Sequence, residues 1–227
     1  MPKVAIKKPP EDIVEEFFDV EQGSEDWLRM RIGLPTASNF AAIMASGKDG
    51  KESAMRRKLL YQLAGEILSG EPAETYSNAA MQRGKDMEGE ARDWYGRTRF
   101  ADLTRIGFVR RTVRNPLGSE FLVGCSPDAF VGEDGILEVK TLAPHLLIEL
   151  ADRGTFPTEH KHQCHGSLWV TGRSFVDLVC FYRGMPITPT FRIERDTVYI
   201  KEIENAVEMF TWDLRKLIER IRAMSAR

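Results

Sequence analysis

The decisive stretch is Gly124-Cys125-Ser126-Pro127-Asp128, followed by Ile136-Leu137-Glu138-Val139-Lys140. Two short runs rich in β-branched residues, Phe121 to Val131 and Ile136 to Thr141, flank Glu133-Asp134-Gly135, the pattern of a β-hairpin. Side chains alternate faces along a strand, so Glu138 and Lys140 share one face and Val139 points to the other. With Glu133 to Gly135 as a three-residue loop and Gly135 left-handed, Asp128 falls opposite Lys140, on the face of Glu138. A two-residue loop would pair Asp128 with Val139 and split the group across the sheet. The longer loop is the one that gathers two carboxylates and a lysine.

Such a group needs a reason. Two close carboxylates repel, and each is costly to desolvate. A hard divalent cation such as Mg²⁺ resolves the conflict, because it prefers oxygen ligands; the lysine can balance charge or steady a nucleophilic water. The plainer reading is a surface hairpin with solvated charge pairs, since short charge patterns recur by chance.

Composition sets the frame. The chain has 227 residues, 42% hydrophobic and 29% charged, as in an ordinary globular protein with one large domain or two small ones. No apolar run approaches a membrane span, and the first ten residues lack the apolar segment of a signal peptide. The three cysteines, Cys125, Cys164 and Cys180, form no CxxC pair, which points to a reducing cytoplasm. A net charge of −2 means that any nucleic-acid site must be a local basic surface.

In chain order, residues 1–20 suggest an extended arm. Ser24 is expected to cap a short helix ending at Gly33, and Pro35-Thr36-Ala37-Ser38 to begin another through Ala45. A helix from Glu52 to Ser69, closed by Gly70, carries Met55, Leu59, Leu60, Leu63, Ile67 and Leu68 as a core stripe. Asn78 opens a further helix to Arg97, with the stripe Met81, Gly84, Glu88, Ala91, Tyr95. Glu88 therefore sits on a small, apolar face, where it needs a base, a polar cavity or a metal, unless it rolls to the helix edge. Gly84, one turn earlier, leaves room for a backbone or ligand.

Leu103 to Val113 is expected as one strand, with Arg105, Arg110, Arg111 and Arg114 forming either a phosphate track or a charged strand edge. After the hairpin come a helix or lid over Pro144 to Gly154 and a helix to Thr171. Strands are expected at Phe175 to Tyr182, Ile187 to Arg195 and Thr197 to Lys201. A packing helix from Glu202 to about Ala223 ends the chain. The four histidines, His145, His160, His162 and His165, could with Cys164 suggest zinc. Their pairs point different ways on a helix, which favours polar helix positions near a site entrance.

Several motifs in order then resemble a known family. Ser126-Pro127-Asp128, nine residues, and Glu138-Val139-Lys140 resemble the PD-(D/E)XK nuclease signature. Glu21-Gln22-Gly23 with Trp27, Arg31-Ile32-Gly33 and Thr36-Ala37-Ser38 resemble the N-terminal block of the phage lambda exonuclease family, the YqaJ-like viral recombinases. Arg83-Gly84-Lys85-Asp86-Met87-Glu88 and Gln163 with Ser167-Leu168-Trp169-Val170 resemble its two helix motifs.

The resemblance implies an α/β fold, a restriction-endonuclease-like core whose mixed sheet uses the strands near 103, 121, 136 and 175. It implies a single nuclease domain over 1–227, with an arm at 1–20, a catalytic core at 78–182 and a C-terminal helix at 202–224. The implied activity is that of a Mg²⁺-dependent 5′-to-3′ exonuclease on linear duplex DNA, with one or two ions per site and Mn²⁺ as a substitute. Such an enzyme leaves 3′ overhangs for phage recombination, forms a homotrimeric ring around DNA, works with a single-strand annealing protein, and acts in the bacterial cytoplasm. Carried over by position, Asp128, Glu138 and the Val139 carbonyl would be metal ligands, and Lys140 would activate the water. Glu88 and Gln163 would complete the polar shell, and Arg31 and Ser38 would contact a phosphate. Leu146 stands where the family pattern has an arginine that grips the 5′ phosphate, leaving His145, Arg153 or another base to substitute. A structure-specific or restriction-type endonuclease and a non-catalytic DNA-binding subunit are the alternatives on the same core.

Overall fold

The computed structural model describes residues 12–47, 51–73, 79–114 and 120–225, with the backbone alone for 79–85 and 225. Asn78, proposed above as a helix start, lies outside these residues, as do the side chains of Met81, Arg83, Gly84 and Lys85. The strands are β1 (Ile13–Phe17), β2 (Leu103–Thr104), β3 (Phe108–Arg114), β4 (Glu120–Cys125), β5 (Ala129–Val131), β6 (Gly135–Thr141), β7 (Phe175–Phe181) and β8 (Thr190–Glu194). They form two sheets, ordered β1-β3-β4 and β2-β5-β6-β7-β8. The second is mixed. Its β6–β7 pair is parallel and its other pairs are antiparallel. Parallel neighbours need a crossover, here the helices α5 (Pro144–Arg153) and α6 (Lys161–Thr171).

Two segments expected as single strands are each cut, and each cut passes the chain from one sheet to the other. Leu103–Val113 divides into β2 and β3, with Gly107 N–H donating to Phe17 O at 3.0 Å in between. Phe121–Val131 divides into β4 and β5 at Ser126-Pro127-Asp128, where proline has no N–H to continue a ladder. The strand near 121 therefore belongs to the three-stranded sheet. The segment taken as an arm contains β1, which pairs with β3 from Ile13↔Thr112 to Phe17↔Phe108.

The hairpin register also differs from expectation by two residues. Ala129 pairs with Leu137 and Val131 with Gly135, so the loop is Gly132-Glu133-Asp134. Gly132, not Gly135, takes the left-handed conformation, at φ +53°. Gly135 is required for another reason: a Cβ there would meet Phe175 Cζ at 2.3 Å. A shift of two keeps the parity of the faces. Extending the ladder sets Asp128 across from Glu138 rather than Lys140, still on the shared face.

The remaining helices are α1 (Glu25–Met30), α2 (Phe40–Met44), α3 (Ala54–Ser69), α4 (Ala79–Arg99) and α7 (Thr197–Ser225). Ser24 caps α1 by accepting from Trp27 N–H at 3.2 Å. The expected helix from Pro35 is a 3₁₀ turn, Ala37–Asn39, before α2. In α3, Leu59 and Leu63 are buried, but Met55 and Leu68 are 62% and 41% exposed, so the core stripe is narrower than expected. Thr197 to Lys201 is the start of α7, not a strand. Asp196 Oδ1 accepts from the N–H groups of Val198 and Tyr199 at 3.0 Å, a cap that outweighs the β-branched residues after it.

Helix α6 lies at the centre. It packs on β3 and β4 of one sheet, on β6 and β7 of the other, and on α7, with Cys164 through Val170 buried. Helix α4 covers the opposite side of β6, where Met87, Ala91 and Tyr95 meet Leu137, Val139 and Val179. No helix among the described residues is long and apolar enough to cross a membrane.

Candidate active site

Alternation along β6 sends Leu137 and Val139 toward α4, and Glu138 and Lys140 toward α6. Glu138 is 4% exposed. Its Oε1 lies 2.8 Å from Lys140 Nζ and accepts from Gln163 Nε2 at 2.5 Å. Gln163 Oε1 in turn accepts from Lys140 Nζ at 3.0 Å. Burial works against the Lys140 charge, but Glu138 and Asp128 outweigh it and hold the ammonium above its ordinary pKa.

Asp128 sits between β4 and β5, where the chain changes sheets, and Val139 N–H donates to its Oδ2 at 2.6 Å. Burial, then the charges of Glu138 and Glu88, push its carboxyl well above the usual range, against the Val139 N–H and Lys140. Glu88 arrives from α4, on the other side of the sheet. The end of β5 is where residues from both sides can reach Asp128. Glu88 pairs with Arg92 one turn on in α4, and both line a cleft of 640 Å³ together with Asp128. The base that the sequence demanded for Glu88 is thus Arg92, and the polar cavity is present too.

The wall of that cleft comes from residues 18–23, Trp27 and Arg105-Ile106-Gly107. Gln22 explains why the N-terminal block matters: its Nε2 donates to Ile106 O at 3.1 Å and to Pro127 O at 2.9 Å, pinning the residue before Asp128. Trp27 Nε1 donates to Ser126 Oγ at 2.9 Å, on the other flank of Pro127. Sequence reasoning left Gln22, Trp27 and Ser126 without roles, because their partners are about a hundred residues away. Arg92 could have been found, lying four residues from Glu88 on the same helix. Gln22→Ala removes the bridge from Pro127 O to Ile106 O, one of the two side-chain clamps on the Asp128 turn. A displacement of about 1 Å at a reacting group can cost up to ~100-fold, so turnover on DNA is expected to fall at least about tenfold. An unchanged rate would show that the turn holds itself.

Arg31 is half-buried behind Ser126. It donates to Ser126 Oγ at 3.2 Å and Thr36 Oγ1 at 3.4 Å, and its guanidinium lies 4.1 Å from the Trp27 ring centroid. Ser38 Oγ is 3.1 Å from Thr36 Oγ1. Neither Arg31 nor Ser38 lines the cleft, whereas Ser126 links both to the Asp128 turn. His145 is exposed in the first turn of α5, and Arg153 pairs with Glu149 at 2.6 Å. The arginine group of 105–114 divides. Arg105 faces the cleft, while Arg110 and Arg111 pair with Glu15 and Asp12, and Arg114 with Glu120. Of the histidines, His162 Nδ1 lies 2.6 Å from Tyr199 OH and His165 packs edge-on to the same ring. Those two brace α6 against α7 instead of lining an entrance.

Among the described residues no group of three or more His, Cys, Asp or Glu side chains is drawn together to hold a metal. Asp128 and Glu138 nevertheless fit a hard cation as a pair. Their electrostatic conflict, with Glu88 adding to it, is the kind a divalent ion relieves. Main-chain oxygen and water would supply the remaining ligands, as Mg²⁺ commonly retains water.

The mixed sheet with helices on both sides, carrying paired acids and a lysine beside a cleft, defines a nuclease class of fold. Residues 26–174 match the model of the YqaJ-like viral recombinase domain, and the chain belongs to that family. An alkaline exonuclease (LHK-Exo) from Laribacter hongkongensis is 30% identical, with a TM-score of 0.76 over 89% of this chain and 98% of that one. The same protein in complex with dAMP matches over the same extents at 31% identity and the same score. A phage-related exonuclease from Haemophilus somnus 129PT shares the fold at 18% identity and a TM-score of 0.59, over 83% of this chain and 96% of its own. A comparison with curated proteins finds no match.

Proposed function

We propose that this chain is a Mg²⁺-dependent 5′-to-3′ exonuclease that degrades one strand of linear duplex DNA, leaving 3′ overhangs for recombination by strand annealing. Its family and its similarity to an alkaline exonuclease make it a DNA exonuclease, a hydrolase of phosphodiester bonds. The observation that carries the finer reading is Asp128 open to the cleft, joined through β6 to the Glu138–Lys140–Gln163 network. A binding module has no use for two adjacent acids beside phosphates.

Each side chain has a task. Asp128 and Glu138, with the Val139 carbonyl, would hold Mg²⁺, one or two ions, with Mn²⁺ able to substitute. The bound ion supplies charge neutralisation at the phosphate and acidifies water. Lys140, kept charged by Glu138, orients the attacking water and offsets negative charge developing on the phosphate. Gln163 fixes the Lys140 ammonium and the Glu138 carboxylate relative to each other. Glu88, tethered by Arg92, faces the cleft from the opposite side, and Arg31 and Ser38, through Ser126, serve the phosphate side of the turn. Duplex DNA ends are the proposed substrate. A homotrimeric ring, a single-strand annealing partner and the host cytoplasm belong to the same proposal, on the resemblance to the phage lambda exonuclease family. Residues 1–227 act as one nuclease domain, a reading supported by α6 packing on both sheets.

Incubation with linear and covalently closed circular duplexes tests this. Digestion is expected on linear DNA alone, dependent on Mg²⁺ and abolished by chelation, with the strand shortened from its 5′ end. Cutting of closed circles would replace the exonuclease with an endonuclease. Paired 5′-phosphorylated and 5′-hydroxyl ends measure how far the loss of an arginine at Leu146 weakens end preference.

A further inference from the structure

A base within the electrostatic reach of Lys140 stands at the N-terminal cap of α6. His160 is the residue from which α6 starts, with helical backbone angles (φ −92°, ψ −3°). It therefore lies three residues, about one turn, before Gln163 on the same face. That face is defined by Gln163 itself, whose amide bridges Lys140 Nζ and Glu138 Oε1. The His160 ring is half-buried and feels the charge of Lys140. Among the described residues its imidazole makes no hydrogen bond, in contrast to His162, which is held by Tyr199. Its charged form is disfavoured by burial first and Lys140 second, so it carries a neutral N–H at and above neutral pH.

A neutral donor with no hydrogen-bond partner among the described residues, under the influence of a lysine and one turn from the residue that orients it, is suited to an anionic oxygen. We propose that His160 donates a hydrogen bond to a phosphate oxygen of the DNA strand being degraded. This rests on the reading of the Asp128–Glu138–Lys140 site as the hydrolytic centre. His145, exposed on α5, shares no such face. The phosphate could be the scissile group or the terminal 5′ group, which share this chemistry.

The test compares His160→Phe, which keeps ring volume without a donor, with His160→Gln, which keeps a neutral N–H. Both are assayed in the full chain with Mg²⁺ on linear duplexes bearing 5′-phosphate or 5′-hydroxyl ends. His160→Phe is expected to lower kcat/KM about tenfold, the usual scale of one lost hydrogen bond, and His160→Gln to recover most of it. A loss seen with both ends assigns the scissile phosphate. A loss confined to 5′-phosphorylated ends assigns the terminal one. Should His160→Phe fold poorly, His160→Ala serves as the variant without a donor. Wild-type kinetics in the variants without a donor, or a His160→Gln no better than them, would overturn the inference while leaving the hydrolytic centre standing. A Lys140→Ala enzyme that still digests DNA would instead remove the reading on which it rests.

Discussion

Asp128→Asn is expected to abolish digestion of linear DNA, by about 10³-fold or more, while making the metal-free protein more stable. The activity loss follows from removing one of two acids that would anchor the charge at the reacting phosphate. The stability gain follows from the crowding around Asp128. Burial and the charges of Glu138 and Glu88 hold its carboxyl well above the usual range. Below ordinary carboxylate pKa values the acid is protonated whether folded or unfolded, and pH has no effect through this group. As pH rises beyond that range the unfolded chain releases the proton while the folded chain retains it. Stability therefore falls until the folded group itself ionises. Asparagine removes that slope and still offers an oxygen to Val139 N–H. Thermal unfolding with chelator should show Asp128→Asn melting higher than wild type at neutral pH, by about 2–4 °C for each kcal/mol relieved. Added Mg²⁺ should raise the melting temperature of the wild type and not of the variant. A variant that melts lower in chelator, or that keeps nuclease activity, sinks this account of the site.

Arg192→Ala is expected to cost the most stability of the single substitutions considered. Asp177 on β7 is 4% exposed, and its carboxylate accepts from Arg192 at 2.8 and 2.7 Å and from Tyr95 OH. Removing the cation leaves a buried carboxylate with one neutral donor. That usually costs about 3–5 kcal/mol, and about 3 is expected here because Arg192 is half exposed and partly screened. The melting temperature should fall by about 6–12 °C. Tyr95→Phe, which removes only the hydroxyl, should cost about 1 kcal/mol. A urea midpoint for Arg192→Ala indistinguishable from wild type would show that Asp177 is adequately held without its cation. The network also bears on activity, since Tyr95 lies two turns after Glu88 on α4 and sets that helix over β6.

Much of the site was legible in the sequence for local reasons. Faces in a hairpin depend only on the parity of the pairing, so Asp128, Glu138 and Lys140 could be gathered although the loop was placed one residue off and the register therefore two. Gly135 invited that error, being glycine for close approach to Phe175 and not for a left-handed turn. Glu88 announced itself by standing on an apolar face. What escaped was non-local. The sheet change at Ser126–Asp128 follows from where β3 and β1 lie, and β1 itself finds its partner about a hundred residues away. The arginines at 110 and 111 looked available for phosphate because Glu15 and Asp12, which occupy them, are equally distant in sequence. At Thr197 the β-branched residues spoke for a strand, and the single cap at Asp196 decided otherwise.

The passage of the chain from one sheet to the other at Asp128 carries a consequence for the life of the protein before it is fully folded. The acid is anchored from three directions: by Gln22 in the N-terminal segment through Pro127, by Val139 in the mixed sheet, and by β4 in the three-stranded one. A chain with only one sheet assembled has no site. Nuclease activity is therefore expected to return late in refolding, as a report that both sheets have docked.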